Sequence, residues 1–429
     1  MQQAHVIIIG AGASGLMAAR LLKKAGVDVT VLEARDRTGG RIHTIKDKTG
    51  TGIMELGAEF VHGDLPATLS VLEDAGISLA DAAGEMWQSG PQSPGLDEQW
   101  QLFDERLREI QHDTTLSEFL NTHFSGDQFA DLCQSIKQYA SGYDTADPDK
   151  ASVFALRDEW GEDEGTQHRP AGGYSQMIDY LAKDIPVVLH AVVSNIDWLP
   201  QSVRIVTTDG TVYTGNKVII TVPLGVLQLQ AHEAGAISFS PALPQIRQAA
   251  QQMGMGSVIK ILLQFDEPFW LHDDIRQLTG HDFSDTLFLF SGQPIPTWWT
   301  QVPQHRPLLT GWLGGPPAGA AASLSGEELL TAAISSLAAI LYCDTSKVKH
   351  HLVAHHIANW NHDVFARGSY SYATVSSSEG LRSLTTPIEN TIYFAGEALY
   401  TNTVMGTVEA ALCSGREVAS EIIRQLQAS

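Results

Sequence analysis

Residues 5–15 read His5-Val6-Ile7-Ile8-Ile9-Gly10-Ala11-Gly12-Ala13-Ser14-Gly15, an apolar run followed at once by a glycine turn. Residues 16–26 place apolar side chains at helical spacing, and residues 27–33 predict a second strand that ends at Glu33. A strand, a glycine turn, a helix, a second strand and a terminal acid form the context in which G-x-G-x-x-G binds a dinucleotide. The sequence therefore predicts a Rossmann-like α/β unit.

Each glycine of this turn has a separate physical role. Gly10 permits the tight turn, Gly12 lets the backbone approach a pyrophosphate, and Gly15 lets the helix pack closely on the strand. The helix then begins at Ala13 and Ser14, where unpaired N–H groups and the positive end of the helix dipole favour phosphate. Glu33 is placed to accept hydrogen bonds from a ribose.

Length and charge limit the choice of architecture and partner. The chain has 429 residues, more than one core usually supports, so two domains are expected. It carries 49 acidic and 27 basic residues, a formal net charge of −22. Such a surface repels nucleic acid and anionic membranes, whereas a small cationic substrate is compatible with it.

Cysteine usage and hydropathy indicate the compartment. The three cysteines are scattered, which predicts neither a disulfide framework nor a metal site. We expect no signal peptide before the first strand and no membrane span, because no uncharged apolar run reaches about 18 residues. A cytoplasmic protein is therefore predicted.

Four further motifs follow the dinucleotide-binding fingerprint, which comprises the glycine turn of residues 10–15 with its flanking strands and Glu33. They are residues 34–41 (Ala-Arg-Asp-Arg-Thr-Gly-Gly-Arg), residues 54–63 (Met-Glu-Leu-Gly-Ala-Glu-Phe-Val-His-Gly), residues 392–397 (Ile-Tyr-Phe-Ala-Gly-Glu) and residues 406–415 (Gly-Thr-Val-Glu-Ala-Ala-Leu-Cys-Ser-Gly). With the fingerprint, this series resembles the flavin-containing amine oxidase family, which includes monoamine oxidases, polyamine oxidases and flavin-dependent histone lysine demethylases. The resemblance implies FAD, not a nicotinamide, as the cofactor.

The same resemblance assigns cofactor contacts beyond the first helix. The segment after Glu33 would lie along the pyrophosphate and ribityl chain, through Ala34, Arg35, Gly39, Gly40 and Arg41. The second motif would pass close to the flavin ring, through Gly57, Ala58, Glu59 and Phe60. The remaining contacts would come from Val193 at the adenine, from Gly396 and Glu397 at the ribityl or phosphate region, and from Trp360, Thr407 and Val408 at the flavin. Val193 is explained nearly as well as an ordinary sheet residue.

Val408 has a physical reason for its role. Its backbone N–H would lie at a helix N-terminus and face the flavin C2 carbonyl, where reduction places negative charge. The interval from Glu397 to Thr407 is one residue longer than in several family members, so the conformation of the Leu399–Met405 loop is left open.

Lys260 interrupts an apolar strand at residues 257–265. Alternation places it on one face with Val258 and Leu262, where an ammonium is costly to bury unless it is paired or neutralised. One interpretation is an edge strand with a snorkelling lysine. The other, which we favour, matches it to the family's lysine, which holds a water against flavin N5.

The resemblance also indicates the substrate side. Trp360 would lie beside the flavin, and Tyr370 and Thr407 would flank the amine. Monoamine oxidases have aromatic residues at both flanking positions, so Thr407 weakens that assignment. His62 falls where several polyamine oxidases place a histidine near the amine; the alternative is a turn histidine with no catalytic part. Polyamines are the first substrate class predicted.

Two further clusters of polar residues have limited predicted roles. Residues 157–165 are predicted to form an acidic loop, either simply solvated or a guide for a cationic amine. Four histidines invite a metal hypothesis, but they have no cysteine partners and the family needs no metal, so none is expected. They are His350, His351, His355 and His356.

The predicted protein is thus an FAD-dependent amine oxidase. Hydride would pass from the amine α-carbon to flavin N5, the imine would be hydrolysed, and O2 would yield H2O2. Ser369 stands where covalent members have cysteine, so noncovalent FAD is expected, in a monomer or homodimer. The alternatives are an oxidase of another secondary or cyclic amine, a desaturase-like oxidation, or a non-catalytic flavin-binding subunit. Histone demethylation is disfavoured, because no inserted long helical pair or partner domain is visible.

The fold class follows from these elements. We predict an α/β, Rossmann-like FAD-binding domain built from residues 1–84, 169–245 and 366–429. A discontinuous α+β substrate-binding domain would be built from residues 85–168 and 246–365.

Overall fold

The computed structural model describes residues 4–50, 52–90, 94–161, 165–401 and 405–428, and the chain contains both strands and helices. The strands are β1 His5–Ile9, β2 Asp28–Leu32, β3 Thr44–Lys46, β4 Ile53–Glu55, β5 Val61–His62, β6 Leu79–Asp81, β7 Glu85–Gln88, β8 Gln167–Pro170, β9 Val187–Val188, β10 Val193–Leu199, β11 Ser202–Thr207, β12 Val212–Gly215, β13 Lys217–Ile220, β14 Ser238–Ser240, β15 Gly254–Met255, β16 Val258–Phe265, β17 Thr286–Phe290, β18 Thr297–Trp299, β19 Leu308–Gly314, β20 Leu352–Asn359, β21 Ser371–Tyr372 and β22 Ile392–Phe394.

The helices range from one turn to twenty-one residues. They are α1 Ala13–Lys24, α2 Pro66–Asp74, α3 Leu96–Glu109, α4 Leu116–His123, α5 Ala130–Gly142, α6 Val153–Trp160, α7 Ser175–Ala182, α8 Leu224–Leu227, α9 Pro244–Gln251, α10 Asp273–Thr279, α11 Gly315–Ala321, α12 Gly326–Ile340, α13 Thr345–His351, α14 Ser377–Thr385 and α15 Val408–Ala428. Single 3-10 turns lie at Asp127–Phe129, Phe269–Leu271, Phe283–Asp285 and Glu397–Leu399.

The predicted Rossmann-like unit forms a five-stranded sheet of order β22-β13-β1-β2-β9, parallel throughout. Strand β1 is central, and its apolar residues are buried on both faces, as parallel sheets require. Val6 and Ile8 pack against the core that contains α1 and α15, while Ile7 and Ile9 pack against the opposite core. The continuous apolar run in the sequence therefore reflects helices and strands on both sides of one sheet.

A second, six-stranded sheet has the order β20-β16-β19-β18-β17-β7 and is antiparallel except between β17 and β7. Its strands come from residues 85–168 and 246–365, whereas the five-stranded sheet draws on residues 1–84, 169–245 and 366–429. The sheets thus use the predicted pieces of chain, although the exact domain boundaries stay a prediction.

Strand β16, which carries Lys260, is an interior strand of the six-stranded sheet, next to the edge strand β20. It pairs with β19 on one side and β20 on the other, and all eight of its residues are buried. The edge-strand interpretation of Lys260 is therefore wrong, because an interior strand gives the side chain no route to solvent.

Helices α3 to α6 share an apolar core of their own. Thr115 and Glu118 form a capping box that fixes the start of α4, and Ser152 accepts a hydrogen bond from Ala155 N at the start of α6. The predicted acidic loop is partly wrong, because residues 157–160 belong to α6 behind this cap. Residues 162–164 of that loop lie outside the described residues, as do residues 402–404 of the Leu399–Met405 loop.

Within the described ranges, no single helix is long and apolar enough to cross a membrane. Helices α12 and α13 reach that length and composition only together, across a bend of 112°.

Candidate active site

A cavity of about 1640 Å³ lies between the two sheets. One end is lined by the carboxyl ends of β1 and β2, where open α/β sheets bind their ligands. The other end is lined by side chains of the six-stranded sheet, among them Lys260, Phe288 and Trp299, and by helices α5 and α6. The volume is large enough for a dinucleotide and a substrate together, because small-molecule pockets usually measure about 300–1,000 Å³.

The glycine turn packs as its sequence predicts. Gly10 has φ +106°, a conformation that favours glycine, and an added Cβ at Gly15 would lie only 2.0 Å from Gly10 O. Gly57 is equally restricted, because a Cβ there would lie 1.7 Å from Arg41 O. These close backbone approaches leave no room for a side chain at Gly15 or at Gly57.

The start of α1 fits a phosphate group. Gly12, Ala13 and Ser14 line the cavity, and Ser14 Oγ is buried without a hydrogen-bond partner among the described residues. A buried hydroxyl without a partner is costly, so a ligand oxygen is its natural complement. Together with the helix N-terminus, this supplies an anion site for the cofactor pyrophosphate.

Glu33 is buried directly after β2, and its carboxylate accepts hydrogen bonds from the backbone of the glycine turn and of the segment that follows Glu33. Its Oε2 accepts from Ala11 N at 2.8 Å and its Oε1 from Arg35 N at 2.9 Å. Each carboxylate oxygen has a second lone pair, so the group retains capacity for the ribose hydroxyls that the sequence predicts. Arg35 in turn forms an ion pair with Asp363.

Arg41 links the motif of residues 34–41 to the carboxy-terminal part of the chain. Its Nη1 donates to Glu397 Oε1 at 2.8 Å and to Ser369 O at 2.6 Å. Glu397 also accepts from Ser371 Oγ at 2.6 Å. This network joins three segments of the chain, at Arg41, at Ser369 to Ser371 and at Glu397, around the part of the cavity assigned to the ribityl chain. The first and last of them are more than 300 residues apart in the sequence.

Lys260 is almost completely buried and paired. Its Nζ donates to Glu59 Oε2 at 2.8 Å and to Gly57 O at 3.0 Å, and lies 5.3 Å from the centre of the Trp299 ring. Glu59 Oε1 accepts from Arg169 Nε and from Trp299 Nε1, both at 3.0 Å. The family resemblance assigns both Lys260 and Glu59 to the flavin site, which stays a prediction, and the structure shows that the two side chains form an ion pair.

Trp360 and Tyr370 are fixed by hydrogen bonds to backbone carbonyls. Trp360 Nε1 donates to Leu56 O at 2.8 Å, and the Tyr370 hydroxyl donates to Tyr143 O. Burial, together with the nearby carboxylates of Asp144 and Glu159, raises the pKa of Tyr370. Tyr370 is therefore a neutral phenol whose ring is held in one orientation at the cavity.

His62 lies on an aromatic wall of the cavity. Its ring centre lies 5.8 Å from that of Phe60 and 6.5 Å from that of Tyr143. Phe60 continues the wall to Phe288 at 6.0 Å and to Trp299 at 5.8 Å. Such a wall suits apolar methylenes and, through its ring faces, cations.

Helix α15 begins at the cavity, where Thr407 and Val408 line it. Thr407 Oγ1 accepts from Ala410 N at 3.1 Å, so this side chain caps the helix in addition to facing the cavity. The helix has 21 residues, and its N-terminus directs a positive dipole end toward the site assigned to the flavin C2 carbonyl.

All the predicted site residues line this cavity except Gly15, whose role is the close packing described above. Sequence reasoning missed Arg169 and Trp299, the other partners of Glu59, and Tyr143, the acceptor for Tyr370. Nothing in their local sequence signals these roles, because each partner is at least 110 residues away along the chain.

The four histidines of the metal hypothesis divide between α13 and β20. His351 Nδ1 lies 2.9 Å from Asp266 Oδ1, and His272 Nε2 lies 3.4 Å from Glu267 Oε1. One ligand atom each of Glu267, His272 and His351 lies within 4.8 Å of the others. Both rings thus have carboxylate neighbours, and the expectation of no metal stays a prediction.

Solved structures share this architecture. A putrescine oxidase variant redesigned for cofactor binding superposes with a TM-score of 0.80 at 24% identity, over 99% of both chains. Cyclohexylamine oxidase from Brevibacterium oxydans IH-35A gives a TM-score of 0.78 at 19% identity, over 99% of this chain and 100% of that one. At these identities the likeness establishes the fold, which is the predicted two-domain α/β type.

Characterised relatives match along nearly the whole chain. Lysine-specific histone demethylase 2 of Homo sapiens is 28% identical over 97% of this chain and 53% of its own length. Polyamine oxidase 4 of Oryza sativa subsp. japonica is 28% identical over 98% of this chain and 89% of its own. The chain spans about half the length of the human demethylase.

The fold and a cavity that can hold a dinucleotide are those of a flavin-binding protein of the two-domain α/β type. The profile of one family, described as flavin containing amine oxidoreductase, matches residues 13–96 and 81–423. The chain therefore belongs to that family, and FAD is its cofactor, as the sequence predicted.

Proposed function

We propose that the protein is an FAD-dependent amine oxidase whose preferred substrates are polyamines. The observation that carries the substrate class is the position of Asp131 and Glu159, on α5 and α6, in the wall of the cavity. Lys137 also lines this wall, and the balance of the three side chains is one negative charge. A second ammonium of a polyamine finds a complementary carboxylate there, whereas a simple monoamine does not use it.

The reaction divides between cofactor and protein. FAD, which the glycine turn, Glu33 and Arg41 would hold, would supply the two-electron oxidation of the amine, with O2 as the final acceptor and H2O2, an aldehyde and an amine as the products after hydrolysis of the imine by water. Tyr370 and His62 orient the amine on the aromatic wall. Lys260 supplies a buried ammonium next to the site assigned to the flavin.

The aromatic wall favours a second candidate, oxidation of a cyclic or other secondary amine. Phe60, Phe288 and Trp299 offer ring faces that suit a bulky apolar amine as well as polyamine methylenes. A desaturase-like oxidation and a non-catalytic flavin-binding subunit have less support, because neither function uses the carboxylates on α5 and α6.

The test is anaerobic bleaching of the flavin absorbance, followed by peroxide release in air. The panel comprises spermine, spermidine, putrescine, cyclohexylamine and a dimethyl-lysine peptide. Fast bleaching by spermine or spermidine supports the proposal, and bleaching by cyclohexylamine alone selects the second candidate. Peptide oxidation selects demethylation, and no bleaching by any amine contradicts amine oxidation altogether. Bleaching without peroxide shows that O2 is not the acceptor.

We also propose that FAD is bound noncovalently. Ser369 Oγ, in the position of the covalent cysteine, shares a hydrogen bond of 2.8 Å with Thr145 Oγ1 and has no thiol to attach. Acid precipitation is expected to leave the yellow colour in the supernatant; colour retained by the pellet contradicts this. A cytoplasmic location is proposed on the ground of the three free cysteines, and a monomer or homodimer is proposed as the assembly; cell fractionation and analytical ultracentrifugation test these two proposals.

A further inference from the structure

We propose that Glu59 is a positioning residue that holds Lys260 as a fixed ammonium ion beside the flavin. The inference rests on the proposed function for the place of the flavin ring. It goes beyond that function in assigning the charge state of the lysine to one neighbouring carboxylate.

The lysine is positioned by two acceptors. Lysine has three N–H donors, and among the described residues Glu59 Oε2 and Gly57 O accept from it. The Lys260 side chain is 1% exposed and lines the cavity. The third N–H is thus left for a water or ligand in the cavity, in a direction set by the first two.

Glu59 is itself held from the far side. Arg169 Nε and Trp299 Nε1 occupy its other oxygen, and Arg169 is anchored by Val302 O at 3.2 Å and Thr300 O at 3.1 Å. Burial alone would raise the pKa of Glu59, but Lys260, Arg169 and the hydrogen bonds outweigh it and hold the pKa at about 2. The carboxylate is therefore charged throughout the working pH range.

Without this carboxylate, the lysine would face an unfavourable environment. A buried ammonium with no counter-ion loses its proton, and the pKa of such lysines falls by as much as about 3–5 units. Among the described residues, the other charged groups that interact with this ion pair include Arg169 and Arg306, which face Glu59, and Glu55, which faces Lys260. Burial raises the pKa of Glu55 to about 7, so this group is neutral or only partly charged near neutrality.

The experiment measures the flavin midpoint potential against pH, with dithionite as reductant, so that neither an amine nor O2 is involved. All variants carry Glu55→Gln, which removes the titration of that carboxyl. The Glu55→Gln protein is the parent. It is compared over about pH 6–10 with three variants built on it: Glu59→Gln, Glu59→Gln/Lys260→Met and Glu59→Gln/Lys260→Arg. Arginine keeps its charge in the absence of Glu59, so the last variant is the matched control.

The expected result is a break in the potential–pH curve that only Glu59→Gln shows. It reports a fall of about a hundredfold or more in the proton affinity of Lys260. Both double variants should follow the parent without this break, since neither has a titrating lysine. A Glu59→Gln curve without a break, or the same break in the parent, overturns the proposal.

Two further results distinguish a failure of this proposal from a loss of flavin binding and from a failure of the proposed function. If Glu59→Gln yields no yellow protein, Glu59→Asp decides the question, because its carboxylate lies one methylene further from the ammonium. A break in Glu59→Asp that is absent from the parent supports the proposal, and no break overturns it. Failure of the amine panel with a normal result here would reject the proposed substrate while leaving the role of Glu59 intact.

Discussion

At the scale of single residues, Glu55 and Glu59 lie four positions apart and are both buried, yet their pKa values move in opposite directions. Glu55 accepts from neutral donors, Tyr174 N at 2.7 Å and Thr44 Oγ1 at 2.8 Å. These bonds do not outweigh its burial, which raises its pKa to about 7. At Glu59 the two neighbouring cations, together with the hydrogen bonds from Lys260 and Trp299, outweigh burial and lower the pKa.

This difference predicts a pH-dependent stability that Glu55→Gln removes. The folded-state pKa of Glu55 is raised, so its contribution is fully present below about pH 4.5 and is lost as pH rises through about 7. Relative to Glu55→Gln, the wild-type free energy of unfolding should fall by up to about 3 kcal/mol between about pH 5 and pH 8. Urea denaturation of both holoproteins at the two pH values measures it, and parallel curves contradict the prediction.

A second residue-level prediction concerns Glu159, whose carboxylate is proposed to bind the distal ammonium of the substrate. Glu159→Gln should raise KM for spermine about tenfold or more, because it removes a charge-assisted hydrogen bond to the distal ammonium. The KM for a monoamine should be nearly unchanged. Asp158→Asn is the matched control, because this side chain is 51% exposed, pairs with Arg157 and does not line the cavity. Equal effects of the two variants would exclude Glu159 from substrate binding.

At the scale of elements, the close approach of α1 to β1 fixes the cofactor site. Gly15 lies where the first turn of the helix meets the backbone of Gly10, with no room for a methyl group. Similarly, α15 begins at the cavity, so two helix N-termini point to the same cavity. Backbone position, more than side-chain identity, therefore determines how the cofactor is held.

Gly15→Ala tests this. The added Cβ would lie 2.0 Å from Gly10 O, so the helix must move and the phosphate site is lost. We expect FAD affinity to fall at least about a hundredfold, since contacts to a charged group contribute about 1.5–3 kcal/mol each. Gly326→Ala is the control, because it lies at the start of α12 with open space around its Cβ. Flavin fluorescence titration of the apoproteins gives both affinities; unchanged binding by Gly15→Ala would refute the packing argument.

At the scale of the whole molecule, the chain has 49 acidic and 27 basic residues, a formal net charge of −22, and is therefore surrounded by a net negative field. A cationic substrate is concentrated by such a field, and salt screens it over a Debye length of about 8 Å at physiological ionic strength.

We therefore expect kcat/KM for spermine to fall several-fold between about 0.01 M and 0.3 M ionic strength, while a singly charged amine shows a weaker decline. Stopped-flow flavin reduction across the salt series measures this. Equal slopes for the two amines would show that the net charge serves solubility and not substrate capture.

Much of the cofactor site was predictable because its determinants are local. The spacing of Gly10, Gly12 and Gly15, and the acid at Glu33, dictate a turn and a strand end whatever the rest of the chain does. The predicted acidic loop failed for an equally local reason, since Ser152 caps a helix that extends through residues 157–160. A serine that caps a helix is a signal that the sequence itself contains.

The sequence by itself determined the family, the FAD fingerprint and the presence of a costly lysine in an apolar strand. Only the tertiary structure decided what makes that lysine tolerable. Glu59 pairs with Lys260 across 201 positions and with Arg169 across 110, and β16 lies between two other strands. The physical reason is that short-range spacing fixes turns and strands, whereas the partner of a buried charge is chosen by how distant strands pack, which no local pattern records.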